Sequence, residues 1–177
     1  MRILKVNDDI ELRELSTNDI MPIFTAIDTQ REYLREWLPF VDYTKQPSDT
    51  EAFVNSVISK ADSDLNTAIY YKGEFAGLIG FKDTDKGNKR TEIGYWLSFP
   101  YQGKGIITQS CKKLIEYAFT ELDINRVQIR VAKNNLKSSR IPEKLGFTDE
   151  GTERDGELLL SGFTDIKVYS LLKSDKM

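Results

Sequence analysis

The sequence predicts one α/β (α+β) domain that spans residues 1–177. A length of 177 residues suits a single domain that can bury a real core. The composition, 40% hydrophobic and 30% charged, is typical of a globular protein in water. Alternating and helical apolar patterns follow each other in the order β-ααα-βββ-α-β-α-ββ, and no repeat or Pro/Gly-rich linker interrupts them.

The first half of the chain begins with Ile10–Leu15, which alternates apolar and polar residues and predicts a strand. Polar residues at positions 16–19 are candidates for the cap of a first helix, and Ser48 is the candidate cap of a third. The three predicted helices are Ile20–Ile27, Arg31–Leu38 and Asp49–Ala61. A glycine turn at Gly73 then predicts a β-hairpin formed by Thr67–Tyr71 and Glu74–Phe81.

The second half alternates strands with helices. Its predicted strands are Thr91–Leu97, Arg126–Val131, a strand from Phe147 onward, and Thr164–Leu172. Its predicted helices are Gln102–Leu122, which has apolar residues at helical spacing, and Ser138–Leu145, which Gly146 ends.

The chain contains no histidine and one cysteine. The lack of histidine excludes Ser-His and Cys-His nucleophile pairs and every histidine-ligated metal site, so no metal is expected. The lone Cys111 forms no internal disulfide, and its place in an apolar helix favours a buried core thiol. This cysteine usage fits a reducing cytoplasm. Residues 1–15 lack the apolar core of a signal peptide, and no run of 18 apolar residues predicts a membrane span.

The net charge of −3 is unevenly distributed. Residues 102–144 contain nine Lys and Arg against four Asp and Glu, a net charge of +5, which leaves −8 on the rest of the chain. A local positive zone in an acidic protein suits a small anionic ligand better than a long nucleic acid, so direct nucleic-acid binding is not expected. The alternative interpretation is an ordinary solvated face.

A glycine-containing turn leads from the strand ending at Leu97 into the long helix. Gly103 and Gly105 allow close approach of the backbone, and the free N–H groups of the first helical turn favour a phosphate. The turn lacks the GxxxxGK[ST] pattern of a Walker A loop and the third glycine of a dinucleotide-binding loop. A plain helix-entry turn remains the alternative.

The turn resembles the [QR]xxGx[GA] motif of the GNAT superfamily of N-acetyltransferases. Gln102 to Ile106 match that motif, whereas Ile107 departs from the small residue usual at its last position. Two further blocks resemble the RimJ/RimL group, which acetylates the N-termini of ribosomal proteins. The first runs from Asn135 to Phe147, and the second from Glu150 to Tyr169. The resemblance covers residues 91–170, and it implies a GNAT-like acyl-CoA N-acyltransferase fold with a mixed sheet of about seven strands.

The resemblance further implies acetyl-CoA as the donor. The residues expected to bind it are Leu97, Gln102, Gly103, Lys104, Gly105, Ile106, Ile107 and Asn135. In that interpretation the glycine turn binds the pyrophosphate, and Leu97 and Asn135 contact the pantetheine arm. Lys104, Lys137 and Arg140 are candidates for the 3′-phosphate.

The resemblance implies three catalytic candidates. Glu157 corresponds to a proposed base, Glu92 is the alternative base, and Ser138 corresponds to the proton donor for the CoA sulfur. Each has a structural alternative: an exposed loop carboxylate for Glu157, a salt bridge for Glu92 and a helix N-cap for Ser138. Many members of the superfamily have a tyrosine four residues after this serine, where this chain has Pro142.

The expected acceptor is the N-terminal α-amine of a ribosomal protein. Its pKa of about 7.7–8.0 leaves about one amine in ten neutral at pH 7, so a carboxylate or water suffices as the base. A small amine (polyamine or aminoglycoside) and a non-catalytic acyl-CoA-binding module are the alternatives. The aromatic residues Trp37, Phe40, Tyr43, Tyr95 and Trp96 form either core or an acceptor groove. Members of the group are often dimers, so a homodimer is expected.

Overall fold

The computed structural model describes residues 2–60 and 64–175. In that part of the chain, eight strands and five α-helices are present. The strands are β1 (Ile3–Lys5), β2 (Ile10–Glu14), β3 (Asn66–Tyr71), β4 (Glu74–Asp85), β5 (Arg90–Leu97), β6 (Arg126–Ala132), β7 (Thr148–Leu159) and β8 (Gly162–Leu172). The helices are α1 (Ile20–Thr29), α2 (Arg31–Leu34), α3 (Pro47–Ile58), α4 (Ile106–Thr120) and α5 (Leu136–Lys144).

The eight strands form one mixed sheet in the order β1-β2-β3-β4-β5-β6-β8-β7. Every neighbouring pair is antiparallel except β5 and β6, which are parallel. The β5–β6 ladder contains three residue pairs and ends at Glu92 opposite Gln128, although both strands continue beyond it. The two strands therefore part in the middle of the sheet and leave a cleft between them.

Helices cover both faces of the sheet because successive strand residues point to opposite sides. On β4, Ile79 belongs to the larger core, to which α4 contributes a stripe of buried residues that includes Leu114 and Ile115. The adjacent Leu78 packs on the opposite face against the smaller core formed with α1 and α3. The helical spacing predicted for the long helix is thus confirmed by its burial.

The predicted order of elements is confirmed, with one strand added. β1 has three residues, too few for a recognisable alternation, and it raises the count from about seven strands to eight. The hairpin predicted around Gly73 is present as β3 and β4. Among the described residues no helix has the length and apolar character needed to cross a membrane.

Several predicted helix boundaries were wrong. α2 ends at Leu34 instead of Leu38, and the residues up to Leu38 form turns. Leu38 itself cannot be helical because it precedes Pro39, and its φ is −125°. The third helix begins at Pro47 with Gln46 as its cap, so the predicted cap Ser48 lies inside it. Its predicted end, Ala61, lies outside the described residues.

The two helices next to the cleft also differ from prediction at their first turns. α4 begins at Ile106 instead of Gln102, because Gly103 and Gly105 adopt φ values of +73° and +72° that interrupt a helix. α5 begins at Leu136, and its cap is Asn135, whose side chain accepts a hydrogen bond from the N–H of Ser138 at 3.2 Å. The predicted N-cap role of Ser138 was therefore wrong.

Candidate active site

The glycine turn connects the end of β5 to the N-terminus of α4 at the mouth of the cleft. The first intrahelical bond of α4 runs from the N–H of Gln109 to the carbonyl of Gly105 at 3.0 Å. The N–H groups of residues 106–108 therefore have no acceptor within the helix. No acidic side chain lies in the first turn to compete for them. This turn can bind a phosphate or pyrophosphate through backbone donors and the helix dipole.

Two side chains from the helical layer, Tyr33 and Gln30, form hydrogen bonds with the segment that leads into this turn. The hydroxyl of Tyr33 donates to the carbonyl of Leu97 at 3.3 Å and accepts a hydrogen bond from the side-chain amide of Gln102. The N–H of Phe99 donates to the side chain of Gln30 at 2.7 Å. The carbonyl of Leu97, expected to contact the donor arm, is thus hydrogen-bonded to a side chain of the protein itself.

The lysines near the turn have different surroundings. The ammonium group of Lys104 lies 5.2 Å and 5.4 Å from the ring centres of Tyr71 and Tyr101, a cation–π arrangement. Lys137 lies on α5, and its ammonium group donates to the side-chain oxygen of Gln102 at 3.4 Å. Lys137 is therefore the cation that α5 places directly beside the turn.

A cavity of about 590 Å³ extends from the cleft under the helical layer. Its polar lining includes Glu92, Asn135, Ser138 and Glu157, four residues that the sequence singled out. Apolar and aromatic residues also line it, among them Ile23, Ile27, Trp37, Phe40, Phe53 and Trp96. The cavity thus combines the candidate catalytic side chains with apolar walls.

Ser138 is held on two sides. Its N–H is bound by the Asn135 cap, and its side-chain oxygen lies 3.1 Å from the hydroxyl of Tyr95 on β5. The same tyrosine hydroxyl donates to the carbonyl of Ser138 at 3.3 Å. Burial raises the pKa of Tyr95 well above its ordinary value, so this hydroxyl stays protonated over the whole neutral range.

Glu92 is buried and paired. One of its carboxylate oxygens lies 2.8 Å from the ammonium group of Lys82 on the adjacent strand β4, and 9% of its side chain is exposed. The salt-bridge interpretation of Glu92 is therefore confirmed as a contact. The ammonium group of Lys82 thus occupies a carboxylate oxygen that an acceptor amine would otherwise contact.

Glu157 lies on β7 opposite Thr164 of β8, and it is exposed to solvent. Within residues 2–60 and 64–175, no side chain hydrogen-bonds or forms an ion pair with its carboxylate. Arg130 of β6 lies in the field of Glu92 and Glu157 and bonds to Glu153. Burial opposes the charge of Arg130, but the hydrogen bond and these carboxylates outweigh it and raise the pKa of the guanidinium group. The site therefore contains two different carboxylates. Glu92 is paired with a lysine, and Glu157 has no hydrogen bond or ion pair among the described residues.

Three contributors to the site were missed by the sequence reasoning. Tyr33, Lys82 and Tyr95 act through partners that lie 64, 10 and 43 residues away in the chain, where no local pattern could reveal them. The sequence predicts Tyr95 only as a core or groove aromatic, without its contact to Ser138, and it does line the cavity. Cys111 lies in α4, fully buried and away from the cavity lining, as predicted. No group of three or more metal-binding side chains occurs in the described ranges.

A sheet that parts between two parallel strands, with a helix N-terminus that can bind a phosphate at the opening and a carboxylate and a hydroxyl in the cavity, fits an acyl-CoA-dependent acyltransferase. The sequence comparison gives the family. The model of the acetyltransferase (GNAT) domain matches residues 9–148, which is most of the chain. The chain therefore belongs to the GNAT acetyltransferase family, as its motifs predicted.

Relatives of known name match nearly the whole chain. The putative ribosomal N-acetyltransferase YdaF of Bacillus subtilis is 38% identical over 177 residues, which cover 97% of this chain and 95% of YdaF. The ribosomal-protein-serine acetyltransferase of Escherichia coli is 27% identical over 169 residues, 94% of each chain. The structure of RimL, a ribosomal L7/L12 α-N-protein acetyltransferase solved with coenzyme A, superposes with a TM-score of 0.94 at 25% identity, covering 98% of this chain and all of RimL.

Proposed function

We propose that this chain transfers an acetyl group from acetyl-CoA to the N-terminal α-amine of a ribosomal protein. The observation that carries the proposal is the cavity, which gathers Glu157, Ser138 and Asn135 at the end of the β5–β6 cleft. The names of the relatives, one of them solved with coenzyme A, support the same reaction. The protein acts as a single N-acetyltransferase domain over residues 1–177.

The donor's pyrophosphate binds the glycine turn through the N–H groups from Gly103 to Ile107. Its 3′-phosphate end is attracted by the positive zone, in which Lys137 stands beside the turn at Gln102. The pantetheine arm runs into the cleft between β5 and β6, where the ladder is open, and Asn135, which follows the end of β6, lines the cavity there. The bond between Tyr33 and the Leu97 carbonyl must be shared or exchanged as the arm enters.

The reaction forms one bond and breaks another. The neutral amine attacks the thioester carbonyl carbon, the C–S bond then breaks, and its electron pair leaves with the sulfur of CoA. The proton lost by the amine goes to a base, and the charge on sulfur is stabilised by a hydrogen-bond donor. Ser138, which lines the cavity, supplies that donor.

Glu157 is the preferred base. Its carboxylate has no hydrogen bond or ion pair in the described part of the chain, whereas that of Glu92 is bound to Lys82 at 2.8 Å. The apolar walls of the cavity that Glu157 lines suit the first residues of an extended protein N-terminus better than a hydrated polycation. Glu92 is retained as the alternative base, because it lines the same cavity.

The amino-acid composition supports a location and a set of partners for the enzyme. A single buried cysteine and a net charge of −3 support a cytoplasmic enzyme that binds neither nucleic acid directly nor a membrane. A homodimer remains part of the proposal on the strength of the resemblance alone, and sedimentation would test it.

The test is an acceptor panel assayed with acetyl-CoA by mass spectrometry. It contains a peptide with a free N-terminal serine and an internal lysine, the same peptide with a formylated N-terminus, spermidine and an aminoglycoside. The proposal expects one acetyl group on the free peptide at its α-nitrogen and none on the formylated one. Acetylation of only the small amines would overturn the acceptor class, and donor binding without any transfer would make the chain a binding module.

The base is tested with two matched variants. Glu157→Gln should lower kcat by about 10²-fold or more, a typical loss for a general base, while acetyl-CoA affinity stays unchanged. Glu92→Gln should leave kcat within about tenfold of the wild type, because Lys82 already engages that carboxylate. If Glu92→Gln abolishes turnover and Glu157→Gln does not, the two roles are reversed.

A further inference from the structure

The contact between Tyr95 and Ser138 has a cause in the sequence of α5. The carbonyl of Ser138 would ordinarily accept a hydrogen bond from the N–H of residue 142, four positions on. Residue 142 is proline, which has no N–H, and it lies inside the helix. The hydroxyl of Tyr95 donates to that carbonyl at 3.3 Å and thus replaces the missing helical donor.

The same hydroxyl also lies 3.1 Å from the side-chain oxygen of Ser138. A tyrosine hydroxyl has one proton to share between these two acceptors. When the proton of Tyr95 is directed to the serine oxygen, the proton of Ser138 is free to point into the cavity that both residues line. The two hydroxyls then form a chain whose free end is a donor aimed at the reaction site.

We propose that Tyr95 is a positioning residue, which holds the hydroxyl of Ser138 as a hydrogen-bond donor to the departing sulfur of CoA. The inference rests on the proposed function. In the step concerned, the C–S bond breaks and sulfur takes the electron pair. The Ser138 hydroxyl donates to the thiolate, the Tyr95 hydroxyl donates to the serine oxygen, and neither loses its proton. The thiolate acquires its proton from water after release.

The burial of Tyr95 supports its role as a hydrogen-bond donor to Ser138. Because it raises the pKa of Tyr95, a tyrosinate is not formed, and the side chain acts as a donor of a hydrogen bond only. Position 142, one helical turn after Ser138, is a proline and offers no hydroxyl to the site. The hydroxyl that contacts the serine comes instead from Tyr95 on strand β5.

The first measurement needs no acceptor. Coenzyme A is bound to the wild type and to Tyr95→Phe, and the pKa of its thiol is measured by the ultraviolet absorbance of the thiolate. A hydrogen-bonded thiolate is stabilised, so the pKa of the bound thiol should be lower in the wild type, by about one unit. Equal values in the two proteins would overturn the proposal, whatever the acceptor of the enzyme is.

The second measurement is turnover with the best amine of the panel. Tyr95→Phe should lower kcat about tenfold, the equivalent of one hydrogen bond, with KM for acetyl-CoA unchanged within about twofold. Tyr70→Phe is the matched control. Tyr70 lies on β3, two strands away from β5 in the sheet, its hydroxyl is bonded to Asp19 at 2.8 Å, and it is outside the cavity lining. Its loss should lower stability and leave kcat unchanged.

The variant Pro142→Ala distinguishes a purely structural role of Tyr95 from the proposed positioning role. This substitution restores a backbone N–H for the carbonyl of Ser138, so it should compensate for Tyr95→Phe if that carbonyl is all the tyrosine serves. The proposal expects kcat of the double variant to stay about tenfold below that of Pro142→Ala alone. Recovery of full turnover in the double variant would reduce Tyr95 to a helix-stabilising residue. A wild type inactive on every amine would contradict the proposed function, and the thiol pKa would still decide the role of Tyr95.

Discussion

Two glycines with the same backbone geometry provide a direct test of the donor-binding turn. Gly103 has φ +73° and Gly73, in the β3–β4 hairpin, has φ +82°. A Cβ atom added at either would meet nothing within 4 Å. The left-handed conformation costs an alanine about 1–2 kcal/mol, and the stiffer unfolded chain returns about 0.4–1 kcal/mol. Both variants should therefore lose about 1 kcal/mol and about 2–4 °C in Tm.

Only Gly103 lies in the turn proposed to bind the pyrophosphate. A methyl group there would occupy the open space in front of the N–H groups, and loss of one hydrogen bond to a charged group weakens acetyl-CoA binding about tenfold or more. At a donor concentration of about 100 Kd, the wild type and Gly73→Ala should gain about 2.7 kcal/mol of stability. Gly103→Ala should then gain about 1.4 kcal/mol. Thermal-shift measurements with acetyl-CoA give the gain in stability, and calorimetry gives the acetyl-CoA affinity. Equal gains in the two variants would refute the assignment of the turn.

Three further outcomes follow from buried or paired groups. Lys82→Met should lower the free energy of unfolding by about 1–3 kcal/mol, because it leaves the Glu92 carboxylate buried without its partner, and an unchanged urea midpoint would contradict this. Cys111 should react with a thiol reagent only after unfolding, because it is fully buried and burial raises its pKa, so rapid labelling of the native protein would refute its core position. Hydrogen bonds from Arg126 and Ser170 lower the pKa of Glu150 from 4.5 to about 2, so its stabilisation is present above about pH 4.5 and is lost as pH falls toward 2. In urea titrations Glu150→Gln should therefore be less stable than the wild type near pH 7, and the two should converge in acid.

Local sequence signals predicted most of the fold. The alternation of β2 and β6 and the helical spacing of α4 depend on neighbours within a few residues, which is the range over which such patterns are informative. The turn at Gly103 and Gly105 was recognisable because both positions need a positive φ that glycine adopts freely. The errors fell at helix ends, where a cap such as Asn135 or Gln46 competes with several plausible polar residues nearby.

The arrangement of the site was predictable only in outline. The motif resemblance supplied Ser138, Asn135 and Glu157, and the structure gathers all three around one cavity. The groups that orient them come from distant segments: Tyr95 is 43 residues from Ser138, and Tyr33 is 64 residues from Leu97. Such pairs depend on strand order and on where the sheet parts, which a single sequence does not specify.

The absence of histidine has a consequence for acceptor choice. The site offers carboxylates and hydroxyls, and the hydroxyl of Tyr95 stays protonated because burial raises its pKa. No imidazole is present to remove a proton from an ammonium group near neutral pH. Amines that are already neutral at pH 7 react without that step, and they are about one in ten for an α-amine and about one in 2,500 for a lysine side chain. The pKa values of the two amines alone therefore favour protein N-termini over lysines by roughly 250-fold at pH 7, before any contact with the acceptor is made.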